Sequence, residues 1–507
     1  MKILLLEHPR KIAKERCNDI ANTPLSSSLI TGYTAGMLAN QGHEIKIVDG
    51  YFDKLSYEEI AGIVGAFEPD ILGIHIVYSW ENNESLFSFV KEIKGEEIKL
   101  ITAYGFYPTF AYAEILQQCP EIDAVIVGET EHTFVELVEM VQNRTQDSTQ
   151  ATQNSAILGL AWKDEYGKIN LQRRGLDENL DLLPYPIRTE AMLRVMSQTN
   201  IEGSRGCYGG CTFCYINPYY GKPSCWRGRS PENVIAEIDS LIENYGRRDF
   251  YFVDPNFFGP GRYGRERVLR LASLLKERGI IFGIEGRVND IEEETISALV
   301  EAGLHEILIG LESGRNESLK RLNKLTTVEQ NEKAIRILRK YGIEPSIGFI
   351  MFEPDSSLED IRTNFEFLQR NSLLNNLAIT ANVLYHPQII LQGTKAYHDL
   401  KSEGRLKLVS TSYEGTAAFA NPQVATLAQI ISKITNYVFL KMDGIWSGRV
   451  EKPKGSEVVY QKLNQSLVKY FTNTLTELEL DKRLADEDIV ALVEKAKEEI
   501  NLIFYDC

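Results

Sequence analysis

Ile201-Glu202-Gly203-Ser204-Arg205-Gly206-Cys207-Tyr208-Gly209-Gly210-Cys211-Thr212-Phe213-Cys214 is the stretch on which the reading of this chain turns. Three of the seven cysteines fall in its last eight residues, spaced Cys-x3-Cys-x2-Cys. In a long chain such crowding reads as a metal site rather than as disulfides. Thiolates are the usual ligands of iron–sulfur clusters, and three on one compact loop would hold three irons of a 4Fe-4S cube and leave the fourth open. Gly209 and Gly210 let the loop wrap closely. Zinc is the alternative, and it would want a fourth ligand.

Ile201–Gly203 reads as a short strand leading into the loop. Downstream, strands are expected at Asp249–Val253, Ile280–Glu285, Glu306–Leu311, Glu344–Met351 and Ala378–Leu384, with long helices between them. Six such units make a partial (β/α)6 barrel, whose catalytic groups project from strand carboxyl ends. The cysteine loop therefore lies on the catalytic face. Upstream, apolar strands Lys2–Leu6, Glu44–Val48, Ile71–Ile76, Lys99–Ala103 and Ala124–Val127 alternate with helices. That pattern predicts a doubly wound, Rossmann-like parallel sheet, and the fold class is α/β. Ligands of such sheets sit beyond the strand carboxyl ends, here the loops Glu7–Lys11, Val77–Trp80, Tyr104–Thr109 and Gly128–Glu131. Gln142–Ser155 is linker-like, Ile157–Trp162 and Lys168–Gln172 form a hairpin, and Leu176–Arg188 is an extended connector. The expected division is 1–145, a linker region 146–194, a barrel 195–400 and a mostly helical region 401–507. In that last region Tyr413–Thr416 and the aromatic Tyr437–Trp446 either pack the helices against the barrel or cover its mouth as a substrate cap.

Across 507 residues, hydrophobic residues make up 43% and charged residues 25%, an ordinary globular balance. Lys+Arg 55 against Asp+Glu 71 leaves a net charge of −16, which disfavours a nucleic-acid partner. No run of about 18 apolar residues occurs, so no membrane span is expected. The opening MKILLLEHPR lacks the form of a signal peptide, and the expected location is cytoplasmic.

Over residues 195–400 the chain resembles the radical S-adenosylmethionine (SAM) enzymes. The resemblance implies that Cys207, Cys211 and Cys214 hold a 4Fe-4S cluster whose open iron chelates SAM. It also implies an external one-electron reductant of flavodoxin or ferredoxin type. Phe213 would lie near the adenine. Further SAM contacts are implied at Asp254 and Asn256 after the second strand, at Glu285 and Arg287 after the third, at Glu312 and Ser313 in Gly310-Leu-Glu312-Ser313-Gly314, and at Met351. In the first domain, Tyr104-Gly105-Phe-Tyr-Pro108-Thr109 and Asp123-Ala-Val-Ile-Val-Gly128-Glu129-Thr-Glu131 resemble the cobalamin-binding domain that precedes many radical SAM barrels. Tyr104 stands where that family normally has Gly. Cobalamin contacts are implied at Tyr78, Ser79, Tyr104, Gly105, Thr109, Gly128 and Glu129, with no histidine on cobalt, since Asp-x-His-x-x-Gly is absent. Methylthiotransferases need three further cysteines in this domain, where only Cys17 and Cys119 occur. The tRNA-modifying acetyltransferase type would need an acetyltransferase tail and a basic surface.

The implied function is methylation of an unactivated carbon of a small organic substrate by a 5′-deoxyadenosyl radical and methylcobalamin. The alternative is an oxidative cyclisation or rearrangement without methyl transfer, and a non-catalytic sensor is a third class. Cys225, eleven residues beyond Cys214, reads as a buried structural thiol rather than an auxiliary ligand.

Overall fold

β1 (Lys2–Glu7) is an interior strand of the first sheet, and Ile3 to Leu6 are wholly buried between two helical layers. This is a computed structural model, and it describes residues 1–9, 28–76, 83–95, 97–143, 157–408, 414–446, 453, 455–480 and 483–505. β1 pairs in parallel with β2 (Glu44–Asp49) and β3 (Ile71–His75). β4 (Leu100–Tyr104) and β5 (Ala124–Ile126) extend the sheet in the same sense. β6 (Leu160–Lys163) and β7 (Ile169–Leu171) then add two antiparallel strands, giving the order β2-β1-β3-β4-β5-β6-β7. The hairpin assigned to the linker region thus belongs to the sheet. Ala124–Ile126 pairs with Leu160–Trp162, and Val127 N donates to Gly159 O.

The second sheet is all parallel, ordered β14-β13-β12-β11-β8, from β8 (Thr199–Ile201), β11 (Asp249–Phe252), β12 (Ile281–Arg287), β13 (Leu304–Glu312) and β14 (Ser346–Phe349). Between β8 and β11 a two-residue antiparallel ribbon, β9 (Ser204–Arg205) with β10 (Arg227–Gly228), brackets the cysteine loop and sets Arg205 opposite Arg227. The helices between strands start where the sequence supplies caps. Ser230 accepts from Asn233 N ahead of Pro231–Tyr245, and Thr327 with Gln330 forms a capping box ahead of Val328–Lys340.

Ala378–Leu384, expected as the sixth strand, is instead a helix, Leu377–Tyr385. A short apolar run does not distinguish the two by periodicity. The Asn376 side chain decides locally, accepting from Ala378 N and Ile379 N, and Leu377, Ala381 and Leu384 are buried. The sixth barrel position survives as one parallel bridge, Phe352 to Pro387, with Met351 N donating to His386 O at 2.9 Å.

A small antiparallel sheet, ordered β15-β17-β16, follows from β15 (Ile390–Leu391), β16 (Leu406–Leu408) and β17 (Glu414–Ala417). Three helices, Pro422–Trp446, Glu457–Glu479 and Asp486–Tyr505, finish the described chain. They bury Val424, Leu463 and Phe471 in one continuous core with the barrel's Phe365 and Val383. Phe365 stacks on Phe471 with ring centroids 4.8 Å apart. No helix among the described residues is long and apolar enough to cross a membrane.

Candidate active site

Everything at the site hangs from the turn after β8. Gly206 adopts φ 77°, and a Cβ there would sit 2.3 Å from Cys225 O, so only glycine allows the chain to start the cysteine loop. Asn217, on the one-turn helix Ile216–Tyr219, laces the loop shut. Its Nδ2 donates to Gly209 O (2.5 Å) and Pro223 O (2.9 Å), and its Oδ1 accepts from Cys207 N (3.3 Å). Asn323 Nδ2 donates to Gly210 O at 2.6 Å, and Thr212 N to Leu322 O. Burial pushes the Cys207 thiol up and the Cys214 thiol up to about 12. Thiolates so desolvated need a cation, which iron supplies.

All three cysteines line one cavity of about 420 Å³, together with Phe213 and the carboxyl ends of β12 and β13. Glu285, Arg287 and Glu312 are on its wall, as expected. Burial raises the Glu285 carboxyl to about 7. Glu312 has φ 63°, breaks the register between β13 and β14, and is paired to Lys324 Nζ at 2.7 Å. Lys324, Lys222 and Lys395 also line the cavity and were not singled out in the sequence. No spacing rule marks them, because they arrive from separate loops. The chemistry of the donor set, three thiols beside an open glycine-rich wall, fits a cluster with one free iron and a zwitterionic ligand.

Four expected SAM contacts do not line this cavity. Asp254 is fully buried beneath the loop, where it accepts from Gly203 N at 2.6 Å and Ser204 Oγ at 2.8 Å. Burial lifts its carboxyl to about 7 against the opposing pull of Arg267. Asn256 spends its amide on Asp290 and on Gly259 N. Ser313 donates to Asn364 Oδ1, and Met351 is wholly buried in the core. Each supports the strands that shape the wall. Cys225 is buried, hydrogen-bonds Asn217 Oδ1 at 3.3 Å and does not line the cavity. Among the described residues none beyond Lys395 does so either. Tyr437, expected in a cap, instead donates to Asn501 between two terminal helices, and Tyr413 lies outside the described residues.

In the first domain, Gly105 (φ 115°) and Gly128 (φ 86°) make the turns at the sheet's carboxyl end. Thr109 Oγ1 ties them, accepting from Gly128 N and donating to Gly105 O. A Cβ on Gly128 would meet only Tyr219 O, at 3.7 Å, and the cavity beside it is about 10 Å³. Two expected contacts are engaged elsewhere. Tyr104 is wholly buried, its hydroxyl 2.9 Å from Thr31 Oγ1 and its ring stacked on His75, which is bound to Glu7 at 2.8 Å. Glu129 faces the barrel and pairs with both Arg205 and Arg227 at 2.9 Å. Burial opposes its charge, yet the two guanidinium groups hold the carboxyl below its ordinary value. Arg205 also binds Glu131 at 2.6 Å, and Tyr219 Oη donates to Gly128 O. Tyr78 and Ser79 lie outside the described residues.

Residues 201–368 match the model of the Radical SAM superfamily, and residues 31–138 that of the B12 binding domain. An uncharacterized methyltransferase of Pyrococcus horikoshii is 30% identical over 381 residues, 73% of this chain and 78% of its own length. The anaerobic magnesium-protoporphyrin IX monomethyl ester cyclase of Rubrivivax gelatinosus is 26% identical over 346 residues, 66% of this chain and 60% of its own. The solved structure of the cobalamin-dependent S-adenosylmethionine radical enzyme OxsB, with aqua-cobalamin and S-adenosylmethionine bound, shares the fold. Its TM-score is 0.77 at 19% identity, covering 100% of this chain and 80% of that one. The two domain matches fall on the two parallel sheets, and the chain belongs to the cobalamin-dependent radical SAM enzymes, with a 4Fe-4S cluster, SAM and cobalamin as its cofactors.

Proposed function

We propose that this enzyme methylates an unactivated carbon of a small organic substrate. The observation that carries the reading is the tie between the elements flanking the cysteine loop and the carboxyl end of the first sheet, Arg205 to Glu129 and Tyr219 to Gly128. When bound, the cluster supplies the electron that cleaves SAM, and cobalamin carries a methyl group. The protein holds and orients. Phe213 offers SAM a flat apolar wall, while Glu285 and the Glu312–Lys324 pair offer polar anchors at the ends of neighbouring strands. Near neutral pH the Glu285 carboxyl is partly protonated, so it would accept from an ammonium group or a ribose hydroxyl and, when protonated, donate to the hydroxyl. A flavodoxin- or ferredoxin-type reductant and a cytoplasmic setting belong to the same proposal. The methyltransferase of Pyrococcus horikoshii favours it. The cyclase of Rubrivivax gelatinosus favours a second reading, oxidative ring closure without methyl transfer.

Anaerobic incubation with cobalamin, SAM and a strong reductant separates the two. A methyltransferase forms both S-adenosylhomocysteine and 5′-deoxyadenosine, read by mass spectrometry. 5′-Deoxyadenosine alone would select the cyclase reading, and neither product would exclude both.

A further inference from the structure

Arg287 ends β12 and is 5% exposed. Its guanidinium crosses the cysteine loop rather than standing free in the cavity. Nη1 lies 3.4 Å from Cys211 Sγ, Nη2 donates to Lys324 O, and Nε points to Asn289 Oδ1 at 3.3 Å. Its plane sits over the Tyr208 ring, 5.4 Å from the centroid. Tyr208 is itself fixed, its hydroxyl bound to Asp290 and accepting from Asn289 Nδ2 at 2.9 Å. A Cβ at Gly209 would fall 2.2 Å from Arg287 Nη1 and 3.4 Å from Cys207 Sγ. The missing side chain of Gly209 is therefore what lets a fixed cation lie against the Cys211 sulfur.

We propose that Arg287 tunes the reduction potential of the cluster by donating to the Cys211 sulfur, as a positioning and electrostatic group distinct from a SAM contact. The inference rests on the cysteine loop holding the cluster. Adding an electron to a cluster already ringed by three thiolates increases negative charge, and a buried cation at hydrogen-bond distance from one sulfur stabilises the reduced form more than the oxidised. Arginine suits the place because its planar fork serves sulfur, carbonyl and amide at once.

The test uses the full chain with reconstituted cluster and no SAM, with the midpoint potential followed by electron paramagnetic resonance. Iron and sulfide content first show that each variant is loaded. A wild type that takes up no cluster would refute the site reading itself. In loaded protein, Arg287→Gln should have a lower potential than wild type, and Arg287→Lys an intermediate one. Gly209→Ala keeps the arginine but pushes it off the sulfur, and should lower the potential too. This variant decides the matter where Arg287→Gln takes up no iron. Unchanged potentials in the loaded variants overturn the proposal.

Discussion

Asp254 shows how a residue at a strand end becomes structural. Its carboxylate receives two hydrogen bonds from the start of the cysteine loop, yet burial raises it from 3.8 to about 7. Between those values the folded chain binds a proton that the unfolded chain does not, so this group's contribution to stability falls as pH rises toward 7 and is flat above. Asp254→Asn keeps an acceptor for Gly203 N, and Ser204 Oγ can turn its proton to Asn256 O, 3.1 Å away. Urea unfolding from pH 5 to 8 should show the variant losing about 1.4 kcal/mol per pH unit less than wild type below 7. Parallel curves would contradict this. The three cysteines were legible because their spacing is local. Asn217 and Lys324 were not, since what gives them meaning is a partner brought near by folding: the carbonyl of Gly209 and the carboxylate of Glu312.

Among elements, the parallel strands could be read in advance because a buried strand is a short apolar run punctuated by turns. The same feature misleads at Leu377–Tyr385, where an apolar run packs as a helix against Pro422–Trp446 and Glu457–Glu479. Beyond the local Asn376 cap, the helices it packs against begin only at Pro422. Asn376→Ala should cost about 1 kcal/mol through the lost cap, measured by urea unfolding, with no change in cluster content. A loss of cluster would mean that this helix reaches the site, which the cavity wall does not indicate.

At the scale of the whole molecule, both domains had signatures, but the lock between them did not. Glu129 and its arginines are 76 and 98 residues apart in the chain. The Gly128–Glu131 turn grips the ribbon that carries the cysteine loop, through Arg205 and Arg227. Glu129→Gln leaves Arg205 and Arg227 facing each other across that ribbon with one fewer charge between them. Removing one partner of such a buried set should cost about 3–5 kcal/mol by denaturant unfolding, and a cost under about 1 kcal/mol would show the lock to be dispensable. The lock also has an order in time. During synthesis the first domain is complete before Arg205 and Arg227 leave the ribosome. Glu129 and Glu131 wait in water as ordinary hydrated carboxylates. They are desolvated only when the ribbon arrives, so a nascent chain stalled before residue 227 would carry an open acidic face where the finished enzyme has a closed seam.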